Sequence, residues 1–344
     1  MTEKLYLLGT KGSKRKEFFE KAAGECQVPV EFIDWTEAER ADLSGGVVKI
    51  DPPSYTTSDL LQMNGQVSAY RSQLRGLENR GCVFLNTPSG IESVLDKFSC
   101  KKKLMEHGTA VTEMISEEVL KAEEPGRADG AVERLKDMMC RCQASSVFLK
   151  PSYSSGAAGV VAYRKFPGNG REAAYTSCCV SGGELVNTKK IYRLEQREEI
   201  AALLRSVLSL GVIVERWHPK ASYQGKSVDL RVVWQFGEIA FIVARQSSGP
   251  ITNLHLNNAP LDWRKLGLAE QVVMEIRCLC RDAMKLFPGL LSAGIDILLE
   301  KGTLRPRIIE INGQGDLIYQ DIYAENTIYK QQVGEMRKLW NRSI

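Results

Sequence analysis

Residues 294–298 read GIDIL and residues 308–316 read IIEINGQGD. Both are apolar runs of strand length, interrupted by oxygen-bearing side chains: Asp296 in the first, Glu310 and Asn312 in the second. The turn residues between them, Gly302 included, make a final strand pair. A side-chain period of two puts Glu310 and Asn312 on one face of their strand. Two carboxylates and an amide oxygen are hard ligands, and acids set inside apolar runs are costly to keep without a partner. The trio therefore predicts a Mg²⁺ site of the kind whose shell is completed by phosphates and water. Mn²⁺ is the other ion such ligands would accept.

Composition narrows what surrounds that pair. A chain of 344 residues, 43% hydrophobic and 26% charged, buries real cores and exceeds one small domain. The 46 basic and 42 acidic side chains leave a net charge of only +4, so nucleic acid is not the expected partner. No run of about 20 apolar residues predicts a membrane span. The start of the chain lacks a secretory pattern, and the 9 cysteines do not form a staple framework, which favours a reducing, cytoplasmic setting. The close pairs Cys140/Cys142, Cys178/Cys179 and Cys278/Cys280 have the wrong spacing for structural zinc.

Several common chemistries drop out. Gly225-Lys226-Ser227 ends like a phosphate-binding P-loop, but the earlier glycine falls on Lys220. No G-x-G-x-x-G follows the first strand, and no G-x-S-x-G elbow occurs. What remains is a lysine and a small-residue loop. Residues 148–160 read FLKPSYSSGAAGV, in which Lys150 ends an apolar strand and Ser152 to Gly159 offers backbone amides without bulk. Such a loop can close over phosphates, with the lysine as a point charge.

Working outward, the first 90 residues alternate strand and helix: strands at Lys4–Gly9, Val28–Ile33, Val47–Ile50 and Val83–Leu85, and a helix through Phe18, Phe19 and Ala22. One helix is expected over Ile91–His107, stopped by Gly108, and Glu123–Gly130 reads as a loop. Helices are expected at Ala131–Cys142, Glu195–Leu208 and Glu270–Phe287. The runs Val212–Glu215, Leu230–Trp234 and Ile239–Val243 read as strands of a second sheet.

Taken in order, these segments resemble the ATP-grasp superfamily, most closely its RimK-like and glutathione-synthetase-like carboxylate–amine ligases. The resemblance spans roughly residues 85–318. NTPSGIESVLDKFSCKKKLMEHG (86–108) is similar to the family's first nucleotide-contacting helix, and FLKPSYSSGAAGV to its mobile phosphate loop. VIVERW (212–217) resembles the hinge that reads adenine. VDLRVV (228–233) and IVARQSSGPITNLHLNNAP (242–260) resemble the segments that face phosphate and substrate.

The fold implied is α/β (α+β): a small N-terminal α/β domain over 1–88, a lid subdomain with the phosphate loop over 89–194, and a C-terminal subdomain over 195–344. The resemblance implies nucleotide contacts from Lys97, Lys150, Ser155, Gly156, Glu215, Arg216, Trp217, Asp229 and Asn253. It implies metal ligation by Asp296, Glu310 and Asn312. Arg245 would stabilise the transferred phosphoryl group, Arg231 would clamp a carboxylate, and Lys150 would assist transfer. Two positions depart from the family. Asn257 and Asn258 replace a frequent glycine pair, and Gly294 stands where D-alanine ligase-like members carry arginine, which argues against that branch.

The activity implied is ATP-dependent ligation through an acylphosphate, releasing ADP and phosphate. The partners would be a small-molecule or peptide carboxylate and an amine acceptor. Modification of a protein or ribosomally made peptide, and a non-catalytic nucleotide-binding regulatory module, are the alternatives. A homo-oligomer stays open. Tyr55, Tyr70 and Arg71 are candidates to face a substrate cleft, and Lys101-Lys-Lys reads as a solvated helix face.

Overall fold

The structure is a computed structural model that describes residues 3–122, 129–154, 156–256 and 258–343. Three sheets organise it. The first is parallel, in the order β2-β1-β3-β4, from β1 (Leu5–Gly9), β2 (Glu31–Asp34), β3 (Val47–Ile50) and β4 (Val83–Phe84). β1 and β3 are buried along their whole length, as inner strands of a covered parallel sheet must be. Helix α1 (Lys14–Glu25) starts at Ser13, whose hydroxyl accepts from the Lys16 amide, and buries Phe18, Phe19, Ala22 and Ala23. Helix α2 (Leu60–Leu77), capped by Asp59, was not expected from the sequence. Its buried positions, Leu60, Val67, Tyr70, Leu74 and Leu77, keep helical spacing, but Gly65 and Gly76 obscure it.

The helix expected over Ile91–His107 is two: α3 (Pro88–Leu95) and α4 (Lys97–Glu106). Asp96 breaks them by adopting an extended backbone (φ −81°, ψ 99°) and accepting from the Phe98 and Ser99 amides. Gly108, at φ +69°, closes α4 as expected. The expected Glu123–Gly130 loop lies outside the described residues up to position 128; α5 (Asp129–Arg141) begins directly after.

The second sheet is antiparallel, in the order β8-β7-β6-β5-β9, from β5 (Ser146–Pro151), β6 (Val161–Lys165), β7 (Glu172–Ser181), β8 (Glu184–Leu194) and β9 (Val212–Arg216). The β7–β8 hairpin escaped the sequence reading because β8 alternates weakly and carries Asn, Lys and Arg. α5 and α6 (Arg197–Leu208) share this sheet's core. Val212–Glu215 therefore belongs here, paired with β5, and not with the later strands as the sequence suggested.

The third sheet runs β13-β12-β11-β14-β15, with β10 (Ser222–Tyr223) beside β11 (Lys226–Gln235). β12 (Glu238–Ser247), β13 (Ala259–Leu261), β14 (Ser292–Leu299) and β15 (Pro306–Asn312) complete it, all antiparallel. α7 (Glu270–Met284) buries Ile276, Cys280, Ala283 and Met284 in the same core as Ile91, Val94 and Leu104 of α3 and α4. α8 (Tyr319–Ile322) and α9 (Thr327–Ser343) return to the first sheet, where Tyr329, Val333 and Met336 pack with Leu5, Leu7 and Phe19. Among the described residues no helix is long and apolar enough to cross a membrane. The cysteines are free thiols, and burial pushes Cys100 and Cys280 up to about 12.

Candidate active site

Antiparallel register assembles one charged face on the third sheet. Asp229 and Arg231 are two apart on β11 and so point the same way. Across β12, Asp229 pairs with Arg245; across β14, Arg231 pairs with Asp296; across β15, Asp296 pairs with Glu310. Asn312 follows two residues later, so the three predicted metal ligands stand on adjacent strands.

Inside this face the charges satisfy one another. Arg245 donates from Nε to Asp229 Oδ1 at 2.7 Å and from Nη1 to Asp296 Oδ2 at 3.1 Å. Arg231 grips Asp296 with two donors, Nε at 2.5 Å and Nη2 at 3.2 Å. Lys220 Nζ reaches Asp229 Oδ2 at 2.8 Å, and the Thr252 hydroxyl donates to the same oxygen. Burial alone would raise the Asp229 pKa, but Arg245 and Lys220 outweigh it and hold the carboxyl well below the usual range.

Glu310 differs. Among the described residues it forms no contact ion pair and accepts from Asn312 Nδ2 at 3.2 Å. Burial opposes its charge, yet Lys97, Lys150 and Arg231 act more strongly and hold its pKa at about 2. An ionised carboxylate without a contact counter-ion, beside Asp296 and an amide side chain, fits a divalent cation. No group of three His, Cys, Asp or Glu side chains converges among the described residues, so the protein's share would be two carboxylates and an amide oxygen. That is the share Mg²⁺ takes when phosphates and water supply the rest.

The facing wall comes from β5 and β9. Lys150 donates to Glu215 Oε2 at 2.8 Å, a diagonal cross-strand pair, and Thr112 donates to the same oxygen at 2.7 Å. Lys101 Nζ lies 3.3 Å from Glu215 Oε1 and donates to the Ile309 carbonyl at 2.6 Å. Lys101 is thus buried, contrary to its reading as part of a solvated run; only Lys102 and Lys103 are exposed. Its spacing of four from Lys97 puts both on one helix face, the signal that could have found it.

Lys97 Nζ donates to the Ser154 carbonyl, and Asp96 accepts from Ser152 Oγ at 3.0 Å and Tyr153 Oη at 2.9 Å, so the start of α4 latches the segment predicted to be the phosphate loop. Gly156 and Gly159 hold φ +65° and +71° there; a Cβ on Gly159 would lie 2.8 Å from Pro151. Ser155 lies outside the described residues. Asp96→Ala removes both the cap and the latch, so a loss of about 1–2 kcal/mol in urea unfolding is expected, with faster proteolysis of the 152–160 loop.

Lys150, Glu215, Arg216, Asp229, Arg245, Asn253, Asp296 and Glu310 line one cleft between the two sheets. Its cavity is about 80 Å³, well under what small-molecule sites offer, because its own ion pairs fill it. Of the predicted residues Lys97, Gly156, Trp217, Arg231 and Asn312 do not line it, and Arg216, which does, points its charge elsewhere. The Arg216 guanidinium turns away to the Cys142 carbonyl at 2.9 Å, and Trp217 packs behind Phe148 with ring centroids 5.3 Å apart. Phe148, Val160, Ile251 and Leu298 supply the apolar cover instead. Asn258 donates to the Ile251 and Asn253 carbonyls at 3.0 and 2.8 Å, tying down the loop that carries Asn253; Asn257 lies outside the described residues.

No protein-family model matches the chain, and no curated protein matches it in sequence. Solved structures do. D-cycloserine synthetase DcsG aligns over 96% of this chain and 99% of its own, at 13% identity and TM-score 0.60. The ATP-grasp ligase PsnB, complexed with minimal precursor, Mg and ADP, aligns over 98% of each chain at 12% identity and TM-score 0.55. The chain has the ATP-grasp fold. Macrocyclase MdnC from Microcystis aeruginosa MRC, bound with precursor peptide MdnA, shares it over 97% of this chain and 99% of its own, at 14% identity and TM-score 0.59.

Within the ATP-grasp fold the departure at Gly294 has a steric cause. A Cβ there would sit 2.5 Å from the Gly315 carbonyl oxygen and 2.7 Å from Arg231 Nη1. No side chain fits while Arg231 holds Asp296. Gly294→Ala is expected to cost about 1–3 kcal/mol in denaturant unfolding and to lower any turnover in step, because Arg231 must move. Of the first-domain candidates, Tyr70 is buried and donates to Gln314 Oε1 at 3.0 Å, Arg71 lies over the Tyr153 ring at 4.5 Å, and Tyr55 is half-buried beside it.

Proposed function

We propose that this chain is an ATP-dependent, ADP-forming carboxylate–amine ligase. The observation that carries the reading is one cleft of an end-to-end ATP-grasp fold holding Lys150 on one wall and Asp296 and Glu310 on the other. In the proposed reaction a substrate carboxylate oxygen bonds to the γ-phosphorus and the bond to the β–γ bridging oxygen breaks, releasing ADP. An amine nitrogen then attacks the acyl carbon, the bond to the phosphate oxygen breaks, and the amine's proton passes to solvent.

Phosphoryl transfer asks the protein mainly to position groups and neutralise charge. Lys97 and Lys150 would hold phosphate oxygens, with Gly156 and Ser155 in the covering loop. Glu215 to Trp217 would present hinge backbone to the base, and Asp229 and Asn253 would border the nucleotide. Arg245 would stabilise the transferred phosphoryl group, and Arg231 would set Asp296. Asp296, Glu310 and Asn312 would hold Mg²⁺, which supplies charge neutralisation at the phosphates. Since Arg231 and Arg245 already occupy both Asp296 oxygens, these pairs must loosen as the nucleotide and its metal enter.

A peptide carboxylate or amine deserves equal weight with a small acid as substrate, because the fold is shared with MdnC bound with its precursor peptide as well as with DcsG. The deciding experiment incubates purified protein with ATP, Mg²⁺ and separate panels of small acids and peptides. Release of ADP and phosphate that depends on both an acid and an amine is expected. Release of AMP, or no carboxylate-dependent release from any panel, would refute the reading.

A further inference from the structure

We propose that the second sheet's subdomain carries another ligand site, for a small organic anion with an apolar body, in a cavity between α5, α6 and the turn joining β6 to β7. The cavity measures about 550 Å³ and shares no lining residue with the nucleotide cleft. That volume lies within the range small organic ligands fill.

Its walls divide by chemistry. Val132 of α5 and Ala201 and Leu204 of α6 give an apolar floor. Lys136, Lys165, Arg171 and Arg197 rim it, against one acid, Glu172. Two of the cations are spent locally: Arg197 donates to the Gly170 carbonyl at 2.8 Å, and Arg171 lies 3.6 Å from Glu195. Gly170, at φ +64°, permits that approach, since a Cβ would meet Arg197 Nη2 at 3.0 Å. Among the described residues Lys136 and Lys165 have no ion-pair partner, although both are half-buried at the cavity. Like charges converging on a concave, low-dielectric surface concentrate positive potential there, and an anion relieves it.

The position has a structural logic. β5 and β6 form a hairpin whose connection is the phosphate loop, and the cavity is at the hairpin's other end, where the Lys165 amide donates to the Ser145 carbonyl at 2.8 Å. The strands between are about 17 Å long, too far for one small ligand to reach both ends. The site is therefore separate from nucleotide chemistry and stands whether or not the ligase reading does.

The test titrates 8-anilinonaphthalene-1-sulfonate, an aromatic body with one sulfonate, into the full chain with ADP and Mg²⁺ present, and reads its fluorescence. A saturable one-to-one component is expected, displaced by benzene-1,3,5-tricarboxylate. Lys136→Glu with Lys165→Glu should weaken it tenfold or more, while Lys102→Glu with Lys301→Glu, both exposed elsewhere, should not. Should charge reversal lower the melting temperature, Lys136→Gln with Lys165→Gln gives the same reading at least threefold. Absence of a saturable component, or equal binding by the folded double variant, overturns the proposal. Because the variants locate the probe, a failure of nucleotide binding leaves this result readable.

Discussion

Turnover in the Glu310→Gln variant is expected to fall by about 10²–10³-fold, with nucleotide affinity retained within about tenfold. The substitution keeps the shape and the Asn312 contact but removes the one carboxylate of the cleft that lacks a contact counter-ion among the described residues. The proposed role in neutralising phosphate charge through bound Mg²⁺ would be lost, while little packing changes. The pH dependence of folding provides a second reading. Glu310 is depressed from 4.5 to about 2, so its stabilising contribution is complete above pH ~4.5 and disappears as pH falls toward 2. Melting temperatures of wild type and variant should therefore differ by a constant amount above pH 4.5 and converge as pH falls from 4.5 toward 2. Unchanged ADP release, with parallel melting curves at every pH, would remove Glu310 from the site.

Arg245→Met is expected to damage both chemistry and fold. Arg245 is 4% exposed and bridges Asp229 and Asp296, which are 1% and 3% exposed, so its loss leaves two buried acids short of a partner. Breaking such a pair costs about 3–5 kcal/mol, readable in urea unfolding, and removing a cation from the proposed phosphoryl-transfer site is expected to cost about 10³-fold in turnover. Arg245→Lys separates the effects. Its single ammonium cannot span both carboxylates, so stability returns in part while turnover stays low. A methionine variant as stable as wild type would show that the bridge carries no net weight; full turnover in the lysine variant would assign Arg245 a structural role.

Much of the site was readable because its residues break local rules. Asp296, Glu310 and Asn312 stand in strands that otherwise read as core, and Lys150 ends another such strand. Residues that break no rule stayed hidden. Lys220 follows His-Pro in an ordinary polar stretch, Thr252 sits in a loop, and Asp96 looked like a mid-helix acid; each is defined by a partner distant in sequence or by the backbone it caps. Trp217, prominent in the sequence, proved to support Phe148 from behind.

The sequence by itself determined most of the N-terminal alternation of strand and helix, the order of the chemistry-bearing segments and the shared face of Glu310 and Asn312, because hydrophobic period and turn residues act over a few residues. The tertiary structure alone decided which strands are neighbours. It moved β9 beside β5, so that Glu215 meets Lys150, and lined up β12, β11, β14 and β15 so that Arg245–Asp229 and Arg231–Asp296–Glu310 form two neighbouring cross-strand rows. Sheet partnership and register depend on burying the sum of many apolar faces at once, a quantity that no single segment contains.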